Sequence, residues 1–182
     1  VIRGLLSCSE ISEISKHVDC IHDLWMNANK ADIYEQRLVN MHSLTKPEYF
    51  ETKPNERVGF FNAITPLKLT HFIEELFGTD IYFHNTQLFF NPLNNDRLPY
   101  WHRDLQYSPV PEALQKIEQK NMLSLHIRIP LMNEKGIELI PGTHKRWDTG
   151  LERDVRLSLN AHADSEALPG SKLIELNVGD VL

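Results

Sequence analysis

His102 and Asp104, inside Leu98-Pro99-Tyr100-Trp101-His102-Arg103-Asp104-Leu105-Gln106-Tyr107, are the residues whose types and spacing point most directly to chemistry. In an extended strand successive side chains alternate faces, so residues two apart project together and an imidazole and a carboxylate can grip one ion. A nitrogen ligand beside a hard oxygen ligand suits the two-histidine, one-carboxylate face of a non-haem Fe(II) site, with the third ligand supplied from elsewhere. Trp101 and Tyr107 would wall such a pocket, with core packing as the alternative. In a chain with 9 histidines and 25 acidic residues the same tripeptide also arises as a solvated surface pair. The elements around it must decide.

Those elements begin with Val1-Ile2-Arg3-Gly4, the tail of a strand, and with Ser7-Cys8-Ser9-Glu10, a capping box that opens a helix. Ile11, Ile14, Val18, Ile21 and Leu24 or Trp25 form its apolar stripe, which leaves His17 and His22 on the surface. Residues 27 to 54 are polar, with turns at Lys46-Pro47 and Lys53-Pro54 and a short helix or strand between Ile33 and Met41. Thr65-Pro66 opens a second helix with Leu67, Leu69, Phe72, Ile73, Leu76 and Phe77 on its apolar face, and Gly78 ends it.

From Ile81 onward short β-branched and aromatic runs alternate with turn residues. Ile81-Tyr82-Phe83 and Thr86 to Phe90 read as strands, Asn94-Asn95-Asp96-Arg97 as a turn, and the His102 segment as the next strand. Pro109 and Pro111 open a linker with a short helix around Glu112 to Gln119, placed where a lid would be. Met122 to Ile129 alternates, with His126 and Arg128 on its polar face; Ile137 to Ile140 and Lys172 to Asn177 are further strands, and 145 to 171 is loop-like. The pattern predicts a mainly β protein with flanking α-helices, with a small barrel or jelly roll as its core.

With 182 residues the chain fits one domain, since a chain of this size hides roughly two-thirds of its unfolded surface. The net charge of -6 and pI near 5.8 argue against a nucleic-acid surface, and no apolar run is long enough to span a bilayer. Cys8 and Cys20 are too few for a disulfide scaffold, which makes the cytoplasm the simplest compartment. Val1 opens the chain with no basic and apolar leader.

Val1 to Ser7, Trp101-His102-Arg103-Asp104, the run from Gly136 to Lys145 that contains Pro141-Gly142-Thr143-His144, and Gly179-Asp180-Val181-Leu182 occur in that order. Together they resemble the phytanoyl-CoA dioxygenase family of Fe(II)- and 2-oxoglutarate-dependent oxygenases. The resemblance implies a double-stranded β-helix (a cupin-like jelly roll) over residues 1 to 182, a single oxygenase domain incomplete at both ends. It implies that His102 and Asp104 are metal ligands and catalytic, and that the third histidine and the arginine for the 2-oxoglutarate carboxylate lie beyond Leu182.

Under the same resemblance Gln87 occupies a position similar to one that contacts 2-oxoglutarate, and the alternative is a strand residue bonded to its neighbour. His126 either touches cosubstrate or is a core histidine with a satisfied hydrogen bond. Arg128 either grips a carboxylate or is solvated. His144 belongs to a structural turn. The implied cofactors are Fe(II) and 2-oxoglutarate, the implied partners dioxygen and a small-molecule substrate, with no nucleic acid and no membrane. The implied reaction is hydroxylation of an aliphatic C–H bond; Asp104 fills the position that halogenases of the family leave small. The oligomeric state is open, and residues 27 to 60, 105 to 121 and 145 to 171, which would select the substrate, carry no acyl-CoA or nucleotide signature. Two other classes remain open: a non-catalytic small-molecule-binding protein, and a cupin-like enzyme that uses another divalent metal without 2-oxoglutarate.

Overall fold

A computed structural model describes residues 1–34, 41–91, 98–119, 121 and 124–182, with backbone alone at 33 and 34. The chain forms two compact units: Val1–Asn95 with Arg128–Asn133 and Asn177–Leu182, and Asp96–Ile127 with Glu134–Leu176.

The first unit is built on helix α1 (Cys8–Ala28). The Ser7 hydroxyl accepts from the Glu10 amide while the Glu10 carboxylate accepts from the Ser7 amide, so two of the free donors at the helix start are satisfied. The expected stripe is the buried face, with Trp25 rather than Leu24 as its last member. Each such side chain contributes about 1.5–3 kcal/mol when fully buried. Helix α2 (Lys30–Tyr34) follows, and helix α3 (Pro54–Ile64) packs beside α1. The fully buried Phe60 of α3 lies 6.2 Å from the Phe50 ring and 5.6 Å from that of Phe61.

Lys53-Pro54, expected as a turn, starts a helix because proline at the first helical position lacks only an amide that would be unpaired there. Thr65 is consequently the C-cap of α3, and α4 (Leu67–Phe77) begins after Pro66 and buries Leu69 while Leu67 and Leu76 stay exposed. Strands β1 (Met41–Ser43) and β2 (Gln87–Phe89) pair antiparallel, with His42 opposite Leu88.

The second unit contains a 3-10 turn at Asp104–Tyr107, helix α5 (Glu112–Glu118), strand β3 (Glu134–Leu139), a 3-10 turn at Thr143–Lys145, helix α6 (Gly150–Arg156) and strand β4 (Lys172–Leu176). Strands β3 and β4 pair antiparallel, and the register shifts between Glu134 and Ile137, where β3 carries one more residue than β4. Gly136, at φ +98°, sits in this bulge, as the close approach to β4 requires. Helix α6 falls in the stretch expected to be loop; Thr149 and Glu152 cap it as Ser7 and Glu10 cap α1.

The expected mainly β fold with a double-stranded β-helix core is overturned: among the described residues 42% are helical and 12% are strand, in two small two-stranded sheets. Alternation supplies a strand-like side-chain pattern, but a sheet also needs ladder partners. Among the described residues 81–86, 98–103 and 124–130 form no strand. The expected turn at Asn94 to Arg97, the core of the Ile33–Met41 element, and Met122 and Leu123 lie outside the described residues. The paired ends fare better, since Ile2 and Val181 form an isolated antiparallel bridge. Among the described residues no helix is long and apolar enough to cross a membrane.

Candidate functional site

In the second unit the chain approaches the candidate pair through Trp101, whose amide donates to Asp164 O and whose indole N–H donates to Glu166 O, both at 2.8 Å. His102 follows in extended backbone, and Asp104 opens the 3-10 turn. The two ligand candidates thus flank Arg103 as expected, although where an extended segment runs into a 3-10 turn instead of on a ladder strand. The His102 Nε2 lies 3.6 Å from Asp104 Oδ1. On the other carboxylate oxygen, His126 Nδ1 lies 3.5 Å from Asp104 Oδ2. A single carboxylate is therefore flanked by two imidazoles.

Tyr100 and Tyr107 stand beside the His102 ring, at centroid distances of 5.5 and 5.9 Å, and the Tyr107 hydroxyl donates to that of Tyr100 at 3.3 Å. Partial burial, followed by the bond to Tyr100, pushes the Tyr107 hydroxyl up to about 12. Tyr107 is consequently a hydrogen-bond donor at neutral pH and not a base. The site is open: the His102, Asp104 and His126 side chains are 41%, 64% and 68% exposed.

By donor type these residues fit a divalent transition metal, since two imidazole nitrogens and one carboxylate form the donor set of the non-haem iron sites. Metal bonds of about 2.0–2.2 Å place neighbouring octahedral ligand atoms about 3 Å apart, whereas the contacts of 3.5 and 3.6 Å are wider and are made to different oxygens of Asp104. Among the described residues no three of His, Cys, Asp and Glu are already gathered as a metal-holding group.

Comparison with protein-family models, with curated proteins and with solved structures finds no match. The likeness to the phytanoyl-CoA dioxygenases thus rests on the motifs themselves.

Gln87 and Arg128 belong to the first unit. Gln87 is an exposed residue of β2 opposite Ser43, and Arg128 exchanges backbone hydrogen bonds with Leu182 while its guanidinium lies 6.0 Å from the centre of the Phe89 ring. His144 is exposed in the 3-10 turn, where its carbonyl accepts from Gln119 at 3.2 Å, as a residue of a structural turn would.

Sequence patterns did not single out Asp148 and Arg156, the most buried charged partners near the pair, because Asp148 meets Arg103 only through long-range folding and Arg156 joins them by pairing with Asp148. They also left His22 and His17 on the surface. His22 Nδ1 lies 2.9 Å from Nε2 of the buried His42, whose ring stacks on Trp25 at 4.5 Å, and the His17 ring meets Phe60 edge-on. A cavity of about 160 Å³ in the first unit, lined by His17, Cys20 and Phe50 among others, contains none of the candidate residues and is smaller than the roughly 300 Å³ of an ordinary ligand site.

Proposed function

We propose that the chain carries the catalytic site of an Fe(II)- and 2-oxoglutarate-dependent dioxygenase of the phytanoyl-CoA dioxygenase type, a cytoplasmic enzyme that hydroxylates an aliphatic C–H bond of a small molecule. The observation that carries the proposal is the placement of His102 and His126 on the two oxygens of Asp104. His102 and Asp104 would hold the iron, and His126 would contribute a third donor or orient the carboxylate by a hydrogen bond. With its cosubstrate, such a centre supplies an oxidant strong enough for an unactivated C–H bond.

The chain's own residues perform the supporting work. Asp104 would supply the negative charge that retains a divalent cation, and the imidazoles of His102 and His126 would supply nitrogen donors. Tyr100 and Tyr107 present ring faces and a linked pair of hydroxyls beside His102, an apolar wall with a polar edge that can orient a substrate hydroxyl or carboxylate. Trp101, tied by two hydrogen bonds to the 164–166 segment, sets the direction from which His102 enters the site.

A metal-dependent enzyme that does not use 2-oxoglutarate is the second reading, favoured by one observation: the donors that come together, His102, Asp104 and His126, specify a divalent metal but no cosubstrate. Anaerobic Fe(II) titration and succinate release from 2-oxoglutarate separate the two. Iron-dependent succinate release is expected. Asp104→Ala should weaken Fe(II) binding by more than the roughly 10–100-fold that follows loss of a group merely supporting a ligand, while His144→Ala leaves it intact. Iron binding without succinate release would select the second reading, and loss of iron in His144→Ala but not in Asp104→Ala would overturn both.

A further inference from the structure

Arg103 lies between the two candidate ligands, and its side chain is among the most firmly held in the second unit. Its Nε donates to Asp148 Oδ1 at 2.8 Å, its Nη2 donates to Thr143 O at 3.1 Å and Arg146 O at 2.9 Å, and its guanidinium lies 4.9 Å from the centre of the Trp147 ring. The second oxygen of Asp148 is filled by Arg156, from Nε at 3.0 Å and Nη2 at 2.7 Å. Arg156 Nη1 then donates to Gln106 Oε1 at 3.1 Å, and that same oxygen accepts from the Arg103 backbone amide at 3.2 Å. The bonds close a ring that runs from the Arg103 side chain through Asp148, Arg156 and Gln106 back to the Arg103 backbone. Its charged members are nearly buried, with side-chain exposures of 13%, 6% and 8% for Arg103, Asp148 and Arg156.

Such a ring does more than a surface ion pair. Its low-dielectric setting strengthens each bond, and a buried carboxylate that accepts three guanidinium hydrogen bonds is held in a fixed geometry. Arg103 is extended, at φ -120° and ψ 131°, so its neighbours point away from it. Tying Arg103 inward at both backbone and side chain directs His102 and Asp104 outward together. Gln106 also fixes the pitch of the turn that Asp104 opens, since its side chain bonds back across the turn.

We infer that the Asp148–Arg103–Arg156 ring is the positioning device of the site, with Asp148 as its central positioning residue, acting on His102 and Asp104 through Arg103. The inference rests on the proposed metal site for its consequence and on the hydrogen-bond ring alone for its geometry. It also gives the Pro141-Gly142-Thr143-His144 motif a task, because the turn it forms offers the Thr143 and Arg146 carbonyls to the Arg103 guanidinium.

The test compares wild type, Asp148→Asn, Asp148→Glu and Gln106→Ala in the full chain by anaerobic Fe(II) titration and by the NMR signals of the His102 ring without metal. Far-UV circular dichroism checks the fold. Asp148→Asn should weaken Fe(II) binding by roughly 10–100-fold, the usual consequence of removing a group that orients a metal ligand, and should shift or broaden the His102 ring signals. Asp148→Glu should recover part of both. Gln106→Ala, which leaves the charged members in place, should move both readouts in the same direction by a smaller factor and keeps the inference testable if Asp148→Asn fails to fold. Unchanged His102 signals and unchanged iron affinity in folded Asp148→Asn, or in Gln106→Ala, would overturn the positioning role while the metal site stands. Shifted His102 signals in a protein whose wild type binds no Fe(II) would support positioning and overturn the metal site instead.

Discussion

Gly136→Ala should damage the second unit far more than a glycine replacement in a turn ordinarily does. At φ +98° an L-residue is strained, and left-handed backbone costs non-glycine residues about 1–2 kcal/mol. A β-carbon would also stand 1.5 Å from the Ile174 carbonyl oxygen and 2.4 Å from its carbon. A tolerable C···O contact is about 3.3 Å or more, and the obstacle is backbone, so the strands must separate by nearly 2 Å at that point. Separation would disrupt hydrogen bonds around the Ile137–Ile174 pair, each worth about 0.5–1.5 kcal/mol net. The expected total is about 3–4 kcal/mol, a large share of the roughly 5–15 kcal/mol that holds a domain together. Gly142→Ala is the control: at φ +85° it has the same kind of backbone strain, but its β-carbon would have nothing within 4 Å. It should cost only the backbone part. Urea unfolding followed through amide exchange of β3 and β4 measures both variants. Equal destabilisation by the two would show that the bulge does not depend on the close approach, and the reasoning would fail.

Burial lowers the His42 pKa below its usual 6.5, so its proton is bound more tightly in the unfolded chain. Stability of the first unit should be complete above that value and decline as pH falls from it toward the lower folded value, more steeply than in His42→Phe; parallel melting curves against pH would refute this. Ser7→Ala and Thr149→Ala should each destabilise their unit by about 0.5–2 kcal/mol in chemical denaturation, the usual worth of a helix cap. The Arg146 fork, with help from Thr149, holds Glu152 at about 2, so its contribution should be present above its usual 4.5 and disappear as pH falls toward 2, an effect that Arg146→Ala removes.

What could be read from the chain was what neighbouring residues determine. The Ser7–Glu10 box and the stripe from Ile11 to Ile21 specify α1 without outside help, and the strand expected at Lys172 to Asn177 is observed at Lys172–Leu176. The Thr149–Glu152 box was equally local, but the charged helix it opens lacks a long apolar stripe. Pairing is a different matter. The alternation from Ser124 to Ile129 describes a segment suited to a sheet, yet whether a partner arrives is decided elsewhere in the fold. The same limit applied to the site: His102 and Asp104 are two residues apart and visible as a pair, whereas the bond from Arg103 to Asp148 joins residues 45 apart. His126 was noticed, but its position against Asp104 is a property of folding alone.

The bridge between Ile2 and Val181 has a consequence for the order of folding. Arg3 meets Asp180 across 177 residues of chain, and the Gly4 amide donates to the same carboxylate at 3.0 Å. Closing a loop of that length costs about 2 kcal/mol more entropy than closing one of 20 residues, and none of it is recovered until the last contacts form. On a ribosome, α1 can coil and recruit α3 early, but the segment at Ile2 must wait until its bridge partner Val181 has emerged. The first unit should therefore acquire its helical core quickly and complete itself late, with the seam at Ile2 as a slow step and the place where a stalled or shortened chain stays unfinished.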